Sequence, residues 1–207
     1  GRSLTGPKNP DGPADPILVH PDVRRMLLDS RAIIEGGRAF LFWTALHGDL
    51  SHSHDDEAVR QKAADYMGLL TPVLKGYLTD RGFKVCVDAM QVHGGSGFTE
   101  HFPASQYLRD CRIALIYEGT NGIQALDLVT RKLPIEGGKV AAAFIGELAR
   151  TVEEVRASNR PEFGRMAERL GAAVESLGAA SRWVGKALAS NQEAALAGAQ
   201  PYLRLFA

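Results

Sequence analysis

The chain has 207 residues, 45% of them hydrophobic, and its 24 Lys+Arg are balanced by 24 Asp+Glu, giving a formal net charge of zero. That length suffices for one sizeable core, and the charge balance argues against nucleic acid as the main partner, for which a basic face is expected. No apolar run approaches the roughly 20 residues that span a bilayer, the start lacks a signal-peptide pattern, and two cysteines make no disulfide framework, so a cytoplasmic protein with reduced thiols is expected.

In chain order, residues 1–18 read as a Gly/Pro-rich loop or linker lead (GRSLTGPKNPDGPADP). His20-Pro21-Asp22 opens a first helix, with Val23, Met26, Leu27, Ile33, Ile34, Phe40, Leu41 and Leu46 near helical spacing, ending around Gly48–Ser53. A second helix is expected from Asp55 to Leu78, kinked or broken at Pro72. A third runs from Asp80 to His93 and stops at Gly94-Gly95, where glycine takes the conformations a helix exit demands. A short helix over Pro103–Asp110 and a longer one over Gly119–Lys132, closed by Pro134, follow. Beyond the Glu136-Gly137-Gly138 turn the pattern predicts helices at Lys139–Ser158 and Glu162–Gln200, the second broken near Gly171–Gly178. β-type alternation is absent, so the fold class is all-α: an antiparallel four-helix bundle with a helical C-terminal extension.

The most informative stretch is Arg112–Thr130, RIALIYEGTNGIQALDLVT. An apolar run, Ile113–Tyr117, reads as a buried wall and ends abruptly at Glu118, just before a helix start. A carboxylate in so apolar a setting is a candidate proton-transfer group, because desolvation raises its pKa. Read without further context, it equally serves as a first-turn acid supporting the helix. Elsewhere, Arg109-Asp110 reads as a structural ion pair or helix-end cap. The S-H-S-H-D-D-E run around His52 and His54 matches no metal-ligand spacing, so no metal site is expected and the run reads as a solvated loop. Cys86 and Cys111 read as small buried fillers, and Trp43 and Trp183 as packing residues.

Gln91-Val92-His93-Gly94-Gly95-Ser96-Gly97-Phe98 comes before the acid, then Tyr107-Leu108-Arg109-Asp110, then Ile116-Tyr117-Glu118-Gly119-Thr120. This order of Q-x-x-G-G-x-G-[FY], L-x-R-D and I-Y-E-G-T closely resembles the acyl-CoA dehydrogenase family. The resemblance runs from Val19 to Lys132 and is strongest between Thr79 and Leu133; from Pro134 onward the chain is similar to the extra helical segment of a longer bacterial subgroup that includes 3-methylmercaptopropionyl-CoA dehydrogenase-like proteins. It implies a bundle domain over residues 19–133, a truncated additional segment over 134–207, and an N-terminal helical domain and a β-domain ahead of residue 1. The chain would then be a C-terminal fragment, inactive alone and binding FAD weakly or not at all.

The resemblance also implies roles. Glu118 would be the general base that removes the α-proton of an acyl-CoA thioester while hydride leaves for flavin, and its backbone N–H would hold the thioester carbonyl. Gly119 would lie against substrate and flavin, where a Cβ would obstruct them. Thr120, Asn121 and Gly122 would contact flavin at a helix start; Gly122 stands where many members carry Gln, so its contact would be through backbone alone. Thr120 is also a plain helix N-cap. Gln91, Val92, His93, Gly94 and Gly95 would contact the ADP portion of an FAD bound mainly by a neighbouring subunit, which implies a homodimer or homotetramer, with electron-transfer flavoprotein as acceptor. Two other readings stand beside this one: a helical assembly module without catalysis, and a relative of acyl-CoA oxidase type. A nitroalkane-oxidising type usually carries Asp at the base position, and Glu118 argues against it.

Overall fold

The computed structural model describes residues 6–12, 14–158 and 160–207. Part of the predicted lead, residues 1–5 and 13, lies outside these; its described remainder contains one 3-10 turn, Ile17–Val19. Among the described residues every regular element is a helix, as the absence of β-type alternation predicts. None of these helices is long and apolar enough to cross a membrane.

Helix α1 spans Pro21–Ser53, with proline at the first position, where its missing N–H costs nothing. Exposed ion pairs, Arg25 with Asp22 and Asp29 and Arg31 with Glu35, lie along its outer face. After a short connection, the Asp56 carboxylate accepts from the Ala58 N–H at 2.8 Å and caps α2. Helix α2 then runs unbroken from Glu57 to Val92. This corrects the expectation of two helices meeting near Leu78–Asp80; of the kink or local break expected at Pro72, the break does not occur. Pro72 is fully buried inside the helix, beside Leu69, Leu70 and Val73 at 0% exposure, and burial of that face outweighs the one hydrogen bond the proline removes.

Gly94, with φ of +61°, ends α2, and a single turn, α3 (Gly95–Phe98), follows. Helix α4 covers Ala104–Ile113. Helix α5 (Asn121–Asp127) passes directly into one π-helical turn, Leu128–Lys132, closed by the Leu133 N–H on the Leu128 carbonyl at 2.8 Å. A left-handed turn at Glu136, Gly137 and Gly138 leads into α6, Lys139–Ala157.

Helix α7 spans Met166–Ser190 without the break expected at Gly171–Gly178. Each glycine there costs roughly 1 kcal/mol of helix propensity, but buried Leu177, Val184 and Ala187 keep one apolar stripe in register. The break comes at Asn191 instead, whose side chain accepts from the Ala194 N–H at 3.1 Å and starts α8, Gln192–Ala197. Helix α9, Ala199–Phe206, completes the chain.

The described residues fall into two compact units: those within Gly1–Phe40 and Thr79–Ile116, and those within Leu41–Leu78 and Tyr117–Ala207. The first contains buried Met26, Gly97, Ala104 and Ser105. Within it, α2 and α4 approach at two levels, with Cys86 Sγ 3.3 Å from Cys111 Sγ and the Arg112 guanidinium 6.0 Å from the Phe83 ring centroid.

The second unit has the larger core. Tyr66, Leu69, Leu70 and Val73 of α2 belong to it together with Leu128 and Val129, Phe144 of α6, Val184 of α7, and Tyr202, Leu203 and Phe206 of α9. Phe144 stacks on Phe206 at 5.7 Å and meets Tyr66 edge-on at 5.5 Å. Helix α9 packs on α5 and α7, so the C-terminal segment shares this core with residues ahead of the 133/134 position where the sequence suggests a domain boundary.

Candidate functional site

The connection between α4 and α5 carries the central motif. Glu118 has φ of +53° and Gly119 φ of +86°, two successive left-handed residues. Glycine adopts that conformation freely, whereas Glu118 bears a cost of about 1–2 kcal/mol. The turn holds this shape because both carbonyls have donors. Gln124 Nε2 donates to the Glu118 carbonyl at 3.0 Å, and Lys75 Nζ donates to the Gly119 carbonyl at 2.7 Å.

The same Lys75 Nζ donates to Asn121 Oδ1 at 2.8 Å, while Asn121 Nδ2 donates to the Gly76 carbonyl at 3.2 Å. Asn121 is buried, so its amide ties α5 to α2. Thr120 is the N-cap of α5, its hydroxyl accepting from the Ile123 N–H at 3.3 Å. Gly122 is exposed on the first turn, and a Cβ there would meet only the Thr120 hydroxyl, at 3.8 Å.

Glu118 is exposed, and its carboxylate forms no hydrogen bond or ion pair with the described residues. The expected burial of the apolar run before it is corrected: Ile113, Ile116 and Tyr117 are 57%, 47% and 53% exposed among the described residues. The run is not closed into a wall because Ile113 ends α4 and the next residues form turns rather than a packed strand or helix. Chemically, the arrangement offers a free carboxylate on a conformationally fixed turn, next to a helix start.

Gln91 and Val92 form the last turn of α2, and His93, Gly94 and Gly95 lie between α2 and α3, all in the first unit, whereas Glu118–Gly122 belong to the second. A Cβ built at Gly94 or Gly95 would meet nothing within 4 Å, so neither glycine is required by packing inside the chain. Gly97 differs. A Cβ there would lie 2.6 Å from the Met90 carbonyl oxygen, so α3 can close on the end of α2 only with glycine at this position. The His93 and Phe102 rings lie 6.4 Å apart across that turn.

Four other sequence expectations are corrected. Arg109 and Asp110 form no ion pair; both are exposed in the interior of α4, where neighbours in sequence point about 100° apart. Cys86 and Cys111 are half-buried and face each other rather than filling separate apolar sites. His52 lies in α1, bonded through Nδ1 to the Gly48 carbonyl at 2.8 Å, and only His54 falls in the connection. Trp43 lies 4.0 Å from the His47 ring and Trp183 beside Gly198, but both are exposed, at 38% and 52%, rather than packed in a core. A cavity of about 850 Å³ between α6 and α7 is lined mainly by Ala, Gly and Leu and lies in the C-terminal segment.

Lys75 and Gln124 hold the candidate turn, and the sequence motifs do not flag them. Lys75 lies 44 residues from the carbonyl it holds, on another helix; Gln124 is one turn after Thr120, and only its position one helical turn into α5 could have signalled a back-bond to the preceding loop.

Residues 9–134 match the family described as "Acyl-CoA dehydrogenase, C-terminal domain", and residues 144–207 match "Acetyl-CoA dehydrogenase C-terminal like". The chain is 40% identical over 93% of its length to 3-methylmercaptopropionyl-CoA dehydrogenase of Ruegeria pomeroyi, covering 32% of that protein. It is 35% identical over 75% of its length to a butyryl-CoA dehydrogenase of Syntrophomonas wolfei, covering 25%. It is 34% identical over 77% of its length to the broad-specificity linear acyl-CoA dehydrogenase FadE5 of Mycobacterium tuberculosis, covering 26%. The chain thus spans about a third or less of the length of these curated relatives.

Proposed function

The chain belongs to the acyl-CoA dehydrogenase family, and from that premise we propose that it supplies the general base and part of the flavin site of an enzyme that oxidises an acyl-CoA at the α and β carbons. Glu118 removes the α-proton. Its backbone N–H donates to the thioester carbonyl and stabilises the negative charge that develops there. The observation that supports this role is the Glu118-Gly119 turn: a carboxylate without partners among the described residues, on a backbone whose Glu118 and Gly119 carbonyls are held by Gln124 and Lys75. A residue supporting only the helix start has no need of a left-handed backbone, and the N-cap is already provided by Thr120.

Glu118 is exposed within this chain, so bound acyl chain and the remainder of the enzyme exclude water from it. A carboxylate becomes a stronger base as that water leaves.

The residues present fit an FAD. Open space beside Gly94 and Gly95 allows a pyrophosphate to approach the backbone, and Gly122 leaves the first turn of α5 unobstructed. Gln91 through Gly95 hold the ADP portion of an FAD bound mainly by a neighbouring subunit, and Thr120, Asn121 and Gly122 meet the flavin through the helix start. The chemistry such a cofactor brings is acceptance of hydride from the β-carbon. Electron-transfer flavoprotein as the acceptor, a homo-oligomer that shares the cofactor, and a cytoplasmic location complete the reading. Exposed apolar residues on α1, Leu28 at 69% and Phe42 at 62%, favour coverage of this helix by other parts of such an assembly.

The test is anaerobic flavin absorbance of the full-length protein mixed with a panel of acyl-CoAs, as wild type and Glu118→Gln. Bleaching in the wild type that the variant loses is the expected result. Flavin that no acyl-CoA bleaches would overturn the substrate class, and a protein without flavin would leave the assembly-module reading.

A further inference from the structure

Cys86 on α2 and Cys111 on α4 are separated by 25 positions in sequence, yet their sulfurs are 3.3 Å apart. This is inside van der Waals contact, and both side chains are half-buried within the same compact unit. The approach is not confined to the two thiols, since Arg112, next to Cys111, covers the Phe83 ring one helical turn before Cys86. The intervening segment contains the end of α2, the Gly94 turn and α3. The two helices therefore meet at a fixed point on either side of the Gln91–Gly95 segment.

We infer that Cys86 and Cys111 are a thiol pair poised to close into an intramolecular disulfide, a modification site that staples the base of the α2–α3–α4 excursion. The oxidant is a low-molecular-weight disulfide. One cysteine thiolate attacks a sulfur of that disulfide, forming a mixed disulfide and expelling one thiol. The second cysteine, after losing its proton, attacks the cysteine sulfur of the mixed disulfide and expels the other thiol. Two protein S–H bonds become one S–S bond, and the oxidant leaves as two thiols carrying both electrons.

Burial and the neighbouring sulfur push the Cys86 thiol up to about 11. That is opposite to the activation found in catalytic thiols. What favours closure is pre-organisation: the second step is intramolecular, between atoms already in contact. The proposal rests on this geometry and is independent of the flavin assignment to Gln91–Gly95.

The test is equilibration of the 207-residue chain with oxidised and reduced glutathione, native and in urea, followed by acid quench and intact-mass measurement. The expected native product is a monomer two hydrogens lighter, with the Cys86 and Cys111 peptides linked. Closure should be favoured at least tenfold over the urea-unfolded chain, and the closed form should keep its helical circular dichroism and melt above the reduced form. Equal closure in urea, glutathione adducts, intermolecular dimers or a lowered melting temperature would overturn the inference. Cys111→Ser serves as the chain that cannot close; the native-to-urea ratio of the wild type decides the question should that variant fail to fold.

Discussion

Lys75 Nζ donates to the carbonyl of Gly119 at 2.7 Å, so a side chain from the middle of α2 fixes the backbone immediately after Glu118. The same ammonium holds Asn121 Oδ1 at 2.8 Å. Replacing it by methionine leaves two acceptors without this donor and lets the turn drift. Bonds to a charged donor contribute about 1.5–3 kcal/mol when buried, and the half-buried Lys75 should lie at the lower end. A 1 Å displacement of a reacting group costs about 100-fold in rate. Lys75→Met in the full-length enzyme should therefore reduce kcat far more than it weakens substrate binding, with a melting temperature lowered by a few degrees. Lys75→Arg should recover part of the rate. A Lys75→Met enzyme with wild-type kcat would show that the bond does not position the proposed base.

Glu118 adopts φ of +53°, which costs a non-glycine residue about 1–2 kcal/mol. Glu118→Gly relieves that strain and loses roughly 0.4–1 kcal/mol through the greater freedom of the unfolded chain. The variant should be more stable by up to about 1 kcal/mol, which raises the melting temperature by about 2–4 °C in a chain of this size, while the proposed dehydrogenation disappears. Glu118→Gln keeps the strained backbone and should melt like the wild type. Gly119→Ala should do the reverse of Glu118→Gly, since its φ is +86° and its Cβ would lie 3.1 Å from Gln124 Nε2. Thermal unfolding of the three variants checks the set; a destabilised Glu118→Gly would mean that the left-handed backbone is not strained.

Most of this architecture is legible in the residues, and the exceptions share a cause. The α1 start at Pro21, the left-handed exit at Gly94, and the closure of the α5 helical run at Leu133-Pro134 are written in local chemistry. Pro72 and Gly171–Gly178 mislead because they are read as local breakers, whereas tertiary burial of Leu69, Val73, Leu177 and Val184 keeps those helices running. The motif around Glu118 is visible in sequence, but its support is not. Lys75 and Gly76 act on it from a distant helix, and no periodicity links position 75 to position 119. The exposure of Glu118 is likewise unreadable, because an apolar run before an acid does not reveal whether this chain or another surface encloses it.

Tyr202 on α9 is buried, with its hydroxyl 2.8 Å from the Ser181 hydroxyl of α7. Burial pushes its ionisation up to about 12, against a smaller opposing effect of the Ser181 bond. The folded chain thus holds this proton after the unfolded chain, with an ordinary tyrosine near 10, has lost it. The stabilisation is fully present below pH 10 and is lost as the pH rises from about 10 to about 12. Melting temperature should fall over that interval, and Tyr202→Phe should flatten the decline. At neutral pH the variant should cost only about 1 kcal/mol, since Ser181 keeps its bond to the Leu177 carbonyl. An alkaline decline of the same steepness in Tyr202→Phe would assign it to other groups.

Leu203 of α9 is fully buried, and its methyl carbons lie over Gly76 of α2, where a built Cβ would be 2.9 Å from Leu203 Cδ1. The C-terminal segment and the helix bearing Lys75 are thus packed in direct contact. Leu203→Ala leaves a cavity and should cost about 2–5 kcal/mol. Gly76→Ala gains up to about 1 kcal/mol of helix propensity but pushes Leu203 aside and should be destabilising in the wild-type background. Combined, the two changes exchange volume across one contact: the new methyl at 76 occupies part of the space vacated at 203. The double variant should therefore be more stable than the sum of the single changes by about 1 kcal/mol or more, as expected for coupled neighbours. Denaturant unfolding of the four proteins measures that coupling. Simple additivity would mean that α9 moves independently of α2, and that the C-terminal segment contributes nothing to the helix that holds the Glu118-Gly119 turn.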